Sequence, residues 1–169
     1  MSQASRFDPV GALRTLNLHG VQYVVIGGFA GAAMGSTLVT FDVDICHARD
    51  EANLRVLATA LLELHARLRG APEDVPFQLD HVTLRNGDHF TFTTDCGPLD
   101  ILATPKGTTG FDQLVADAAL TNLGEGVTAL VASLDQLIRM KEAAGRPQDI
   151  AAVELLSALR DEIGEEPRR

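Results

Sequence analysis

Val24-Val25-Ile26-Gly27-Gly28, followed beyond Gly35 by Thr40-Phe41-Asp42-Val43-Asp44-Ile45, is the stretch that decides the reading of this chain. It reads as a buried strand, a glycine turn opening a short small-residue helix, and a second apolar strand carrying two carboxylates. Carboxylates at i and i+2 of a strand share a face, while Phe41, Val43 and Ile45 take the other. Two negative charges then lie side by side, next to a glycine turn whose backbone N–H groups are free. A divalent metal and a polyphosphate suit that arrangement, which is costly without them.

Working outward, Asp8-Pro9 is an N-cap with proline at N1, Leu13, Leu16 and Leu18 give the following helix its apolar side, and Gly20 stops it. Val21–Ile26 is a β-branched run and hence a central strand; Gly28–Met34 forms the short helix; Phe41–Cys46 is the second strand. Asp50 caps a helix in which Leu54, Leu57, Leu61, Leu64 and Leu68 recur at helical spacing, ended by Gly70. After the acidic loop Ala71–Pro76, the pattern predicts a hairpin of Leu79–Arg85 and His89–Asp95 around Asn86-Gly87. In the register that keeps Val82, Leu84, Phe90 and Phe92 on one face, His81, Thr83, Arg85, His89, Thr91 and Thr93 fall on the other.

Pro98–Leu102 is a further apolar strand with Asp100 embedded in it. A loop at Thr104–Gly110 leads to a helix over Phe111–Ala118, and Val127–Ala132 reads as an edge strand. Ser133 and Gln136 form a capping box for a helix over Leu134–Ala144. Gly145 breaks it, Pro147 starts the last helix and Gly164 ends it. The expected fold is α+β: a mixed sheet with helices packed on one face, a main domain over residues 8–132 and a C-terminal helical pair over 133–164 packed on it.

With 169 residues, 46% of them hydrophobic, the chain can build one real core. No apolar run is long enough to span a bilayer, and Met1–Pro9 lacks the apolar core of a signal peptide. Cys46 and Cys96 make no disulfide framework, so a reducing cytoplasm is the expected setting. The net charge of −9 argues against a non-specific nucleic-acid binder but leaves room for a local contact with RNA. The tail Glu165–Arg169 reads as a frayed end.

An Asp-x-Asp spacing alone arises by chance about once in such a chain, so placement decides its weight. Asp42 and Asp44 sit in an apolar strand, where a carboxylate must be hydrogen-bonded, protonated or metal-bound. They follow a strand–Gly-Gly–helix unit that can form an anion site. Asp100 repeats the same oddity on another strand. Three strand carboxylates beside a phosphate cradle point to two-metal nucleotidyl transfer; the bland reading is an edge strand ending in two aspartates next to a tight turn.

At these residues the chain resembles the nucleotidyltransferases of DNA polymerase β-like fold, and within them the minimal and AbiEii-like enzymes of bacterial toxin–antitoxin and phage-defence systems. The similarity lies in Gly27-Gly28-Phe29-Ala30, Gly35, Thr40-x-Asp42-x-Asp44, Asp100 within Pro98–Leu102, and Ser133–Lys141 followed by Gly145–Asp149. One departure is Leu38, where relatives often carry a basic residue.

The resemblance implies that Asp42, Asp44 and Asp100 are the catalytic and metal-binding carboxylates, holding two Mg2+ ions, with Mn2+ as an alternative. It assigns nucleotide binding to Gly27, Gly28, Ser36, Thr40 and Lys141, the glycines because a Cβ would block close approach to the phosphates. Asp100 would complete the second metal site and take the proton of the acceptor hydroxyl. The substrate would be an NTP, and the acceptor an RNA 3′ end or a partner protein, with a cognate toxin or antitoxin as a further partner and no membrane.

Lys141 lies in phase with Leu134, Leu137 and Ile138, and reads either as a snorkelling side chain at a helix end or as a phosphate contact. Asp149 reads as dipole stabilisation or a salt bridge to Lys141 or Arg146. His81 and His89 stand too far apart along the expected hairpin to share a metal. His47 reads as a surface residue following the carboxylate strand, and Cys46 as a small buried hydrophobe. Beside the enzyme stands a second reading, a catalytically weak nucleotidyltransferase-like binding module or antitoxin acting by protein contact. An aminoglycoside-type enzyme ranks third, the C-terminal part being short for a substrate domain.

Overall fold

The fold is built around four consecutive buried residues, Tyr23–Ile26, which make a central strand β1. A computed structural model describes residues 6–165, so Glu166–Arg169 of the expected frayed tail and the first five residues lie outside it. Around β1 the chain runs α1 (Pro9–Leu18), α2 (Gly27–Ala33), β2 (Val43–His47), α3 (Glu51–Glu63), β3 (Arg67–Leu68) and α4 (His81–Asn86). It continues with β4 (His89–Thr94), β5 (Gly97–Leu102), α5 (Phe111–Asp117), β6 (Ala119–Asn122), β7 (Thr128–Val131), α6 (Leu134–Ala144) and α7 (Pro147–Glu165).

The strands form one mixed sheet in the order β3-β4-β5-β2-β1-β7-β6. β1 is antiparallel to β2 and parallel to β7, and β2 is parallel to β5. Alternation on β2 buries Val43 and Ile45, which join Leu99, Ile101 and Phe92 in the core with the leucines of α1 and α3. The Tyr23 hydroxyl donates to Asn17 Oδ1 at the end of α1, and Asn53 of α3 bonds the backbone of Gln22 and Ala48, tying both helices to the strand ends. The mixed sheet with helices against it is the architecture expected from the sequence.

Local caps work as read. Asp8 accepts from the Gly11 N–H, Asp50 from Asn53, and Ser133 and Gln136 make a reciprocal capping box. Gly145 closes α6 in the left-handed conformation at φ +65°.

Several expectations need correction. No strand forms over Leu79–Arg85: Asp80 accepts from the Thr83 N–H and caps the short helix α4, which buries Leu84 and leaves Val82 exposed. A capping carboxylate outweighs a two-residue alternation too short to fix a strand. The hairpin partner of β4 is β5, joined through the turn at Asp95-Cys96.

The leucine helix ends at Glu63 rather than Gly70. His65 takes a positive φ of +52°, and Arg67–Leu68 leaves as an edge strand with Leu68 opposite Phe92. Phe41 is exposed and Asp42 precedes β2, which starts at Val43. β7 is internal and β6, absent from the sequence reading, is the edge. Leu18 lies on the exposed side of α1, His47 is buried within β2, and α7 runs through Gly164.

Candidate active site

Register sets up the site before any side-chain detail. Ile26 of β1 stands opposite Asp44 of β2, Asp44 opposite Asp100 of β5, and Asp100 opposite Thr91 of β4. Cross-strand partners share a face, so Asp44 and Asp100 are neighbours on it. Asp42 joins them from two residues before Asp44. One carboxylate oxygen from each of Asp42, Asp44 and Asp100 lies within 4.8 Å of the others.

Three carboxylates this close repel one another. Burial, with Asp42 and Asp100 adding to it, pushes Asp44 up to about 7, and Lys141 only partly offsets this. Hard oxygen donors converging from three strand positions match what Mg2+ or Mn2+ takes. Gly27 fits the same purpose. It sits at φ +72°, and a Cβ there would overlap a carboxylate oxygen of Asp44. At Gly28 a Cβ would come 3.1 Å from Thr40, a tighter contact than usual.

These residues border a cleft of about 650 Å3. Every residue named from the sequence lines it: Asp42, Asp44, Asp100, Gly27, Gly28, Ser36, Thr40 and Lys141. Thr40 Oγ1 donates to Asp42 Oδ1 at 3.1 Å, fixing that carboxylate, and Ser36 Oγ accepts from the Leu38 N–H at 3.2 Å. Leu38 itself faces the cleft, with Val39 exposed beside it.

Lys141 Nζ lies 3.4 Å from Asp149 Oδ1, and Arg146 Nε donates to Asp149 Oδ2 at 2.8 Å. Asp149 is the ion-paired residue that the sequence suggested, but it is more deeply placed, with its side chain 1% exposed. The Arg146 hydrogen bond, first among the causes, holds it down at about 2. The pair links α6 to α7 and presents Lys141 and Arg146 along one wall of the cleft.

Sequence reasoning missed the residues around Asp100. Arg69 Nη2 donates to Asp100 Oδ1 at 2.7 Å, and His89 Nε2 lies 3.8 Å from Oδ2. The leucine periodicity puts Arg69 at a helix end beside Gly70, so nothing local points to it. His81 sits on α4, 4.0 Å from Glu51, and does not share a face with His89. Lys106 also lines the cleft. Buried His47 donates from Nδ1 to the Ala48 carbonyl at 3.1 Å, and burial lowers its basicity. Buried Cys46 has its thiol pushed up to about 12, in keeping with a packing role.

No family model matches the chain, and neither does any curated protein. Among solved structures it is similar to the antibiotic-resistance factor ANT(2'')-Ia at a TM-score of 0.53 and 14% identity, over 90% of this chain and 86% of that one. A weaker likeness, TM-score 0.45 and 17% identity over 97% of this chain and 99% of the other, is to a candidate nucleotidyltransferase from Thermotoga maritima. The architecture is therefore the nucleotidyltransferase fold.

Proposed function

We propose that this chain is a magnesium-dependent nucleotidyltransferase that moves an NMP from an NTP to a hydroxyl and releases pyrophosphate. The observation that carries the reading is the convergence of Asp42, Asp44 and Asp100 within 4.8 Å, beside a glycine that tolerates no side chain. Asp42 and Asp44 would hold both ions, and Asp100 would complete the second site. The ions would supply charge neutralisation at the phosphates and a lowered pKa for the acceptor hydroxyl.

The chain's own groups take the remaining roles. Gly27 and Gly28 let the triphosphate approach the backbone, Lys141 and Arg146 offset its charge, and Thr40 keeps Asp42 in place. Asp100, held by Arg69, accepts the proton of the attacking hydroxyl. In this reading residues 8–132 are the catalytic unit, and the helical pair 133–164 supplies the wall that carries Lys141. The acceptor is an RNA 3′ end or a protein, in a cytoplasmic toxin–antitoxin or defence setting of the AbiEii-like kind. Among the described residues no helix is long and apolar enough to cross a membrane.

Leu38 favours a second reading, a binding module or antitoxin that neutralises a partner by contact. It places an apolar side chain on the cleft at a position where the family it resembles often has a basic residue, next to exposed Val39 and Phe41. Calorimetry with each NTP in Mg2+ separates the two. Saturable binding that disappears in Asp42→Ala/Asp44→Ala supports the enzyme; no binding by any NTP removes it and leaves the contact protein.

A further inference from the structure

The permanent cations that line the cleft are not equivalent. Lys141 and Arg146 share one buried carboxylate, Asp149, with Lys141 Nζ 3.4 Å and Arg146 Nε 2.8 Å from it. Lys106 lines the cleft exposed, and among the described residues it makes no ion pair. The facing lip of Ser36, Leu38, Val39 and Thr40 brings no cation.

Lys106 is also held in its place. β5 carries Asp100 and Leu102 and runs on toward a hydrogen-bonded turn over residues 105–108. The Thr108 N–H and Oγ1 both donate to the Pro105 carbonyl, at 3.1 and 2.8 Å, and the Gly110 N–H donates to Thr108 Oγ1 at 3.2 Å. Gly107 takes the third position of the turn at φ +83°, a left-handed value that a type II turn needs there. The turn lies against α6 with no room to spare: a Cβ on Gly107 would come 2.9 Å from both the Arg139 carbonyl oxygen and the Ala143 Cβ. Backbone docked on a helix thus fixes the corner from which Lys106 meets the cleft, on the β5 bank with Leu102 and Pro105.

The chemistry of the transfer gives an unpaired cation on that bank a role. On the nucleotidyltransferase reading, on which this inference rests, the acceptor oxygen forms a bond to the α-phosphorus while the bond from that phosphorus to the bridging oxygen breaks. The bonding pair leaves with pyrophosphate, and the acceptor proton passes to Asp100. Charge is spread over the equatorial oxygens of the transferred group as this happens. The β- and γ-phosphates lie toward Gly27, Gly28 and Lys141, so the α-phosphate stands over the carboxylates and faces the β5 bank.

We propose that Lys106 is a further catalytic residue, its ammonium set against a non-bridging oxygen of the α-phosphate. Lys141 and Arg146 serve the β- and γ-phosphates in binding. Lys106 has no counter-ion to give up and is positioned before the reaction, so its charge acts mainly on the transition state.

Transfer of label from α-32P NTPs with Mg2+ and a cell lysate reads the rate, and calorimetry with the same NTPs reads ground-state binding. Lys106→Ala is expected to lower the transfer rate about 100-fold, the scale of one preorganised donor, while NTP affinity falls less than about threefold. Lys106→Arg keeps the charge and is expected to retain at least about a tenth of the wild-type rate. Arg139→Ala removes a neighbouring exposed cation that does not line the cleft and is expected to transfer as wild type does. With the α-thio diastereomers of the NTP, the oxygen-to-sulfur rate ratio at one non-bridging position is expected to shrink in Lys106→Ala.

A Lys106→Ala rate close to that of wild type, an equal loss in Arg139→Ala, or unchanged ratios for both diastereomers overturns the proposal. If wild type binds no NTP or transfers no label, it is the nucleotidyltransferase reading that falls, and the role of Lys106 with it.

Discussion

Arg69, the residue after the edge strand β3, reaches to Asp100, donating to its Oδ1 at 2.7 Å and to the Phe92 carbonyl at the same distance. The third carboxylate is thus fixed by an arginine 31 residues away in the chain. A charge-assisted hydrogen bond of this kind orients Asp100.

Replacing Arg69 by alanine is expected to lower the pyrophosphate-release rate about 10- to 100-fold, because a misplaced catalytic carboxylate costs that much. Arg69→Lys keeps the charge but not the planar guanidinium whose Nη2 meets both Asp100 and the Phe92 carbonyl, and is expected to recover only part of the loss. Added guanidinium is expected to rescue Arg69→Ala partially. A wild-type rate in Arg69→Ala shows that Asp100 needs no such partner.

Asp44 sets a pH dependence whose sign is fixed by its raised value, about 7 in the fold against 3.8 for an ordinary aspartate. The native state binds the proton more tightly, so the metal-free protein loses stability as pH rises from about 4 to about 7. The loss is at most about 4 kcal/mol. Mg2+ binds the ionised form, so it is expected to raise Tm more at pH 8 than at pH 6. Asp44→Asn is expected to raise the metal-free Tm at pH 8 by roughly 5 °C and to abolish the Mg2+ effect. Thermal denaturation at the two pH values, with and without Mg2+, decides it.

Asp149 titrates in the opposite sense. Held at about 2 by Arg146 and Lys141, it adds stability above its ordinary value of 3.8 and loses it as the pH falls toward 2. Asp149→Ala removes a buried partner of two cations and is expected to cost about 3 kcal/mol by denaturant unfolding. Lys141→Ala is milder for folding, since Arg146 still covers Asp149, but is expected to weaken NTP binding about tenfold by calorimetry.

The two motif glycines are expected to behave differently. Gly27→Ala combines a φ of +72° with a collision against Asp44, and is expected to destabilise the chain by more than about 2 kcal/mol and to remove Mg2+-dependent NTP binding. Gly28→Ala needs Thr40 to shift by only a few tenths of an ångström from its 3.1 Å contact, and is expected to retain binding within about fivefold. Equal loss in both contradicts a specific role for Gly27.

How much of this was legible in sequence depends on the range of the interactions. Asp42, Asp44, Gly27 and Gly28 announced themselves because polar or glycine residues break an apolar run within a few positions of one another. Asp100 followed from the same oddity on β5, and the capping box at Ser133 is a four-residue pattern. Val82 and Leu84 misled, since so short an alternation serves a capped helix as well as a strand. Arg69 and His89 were not readable at all. Their place beside Asp100 exists only once β3 and β4 have paired in register, a contact between segments far apart in sequence.

The central claim is that Asp42, Asp44 and Asp100 form a metal site for nucleotidyl transfer, and transfer of label from α-32P NTPs tests it most directly. Wild type is incubated with each of the four NTPs, Mg2+ and a cell lysate, beside Asp42→Ala/Asp44→Ala. Label appearing on an RNA or protein only with wild type, only with Mg2+, and with stoichiometric pyrophosphate is the expected result. The same labelling in both proteins, or none with any NTP, contradicts it.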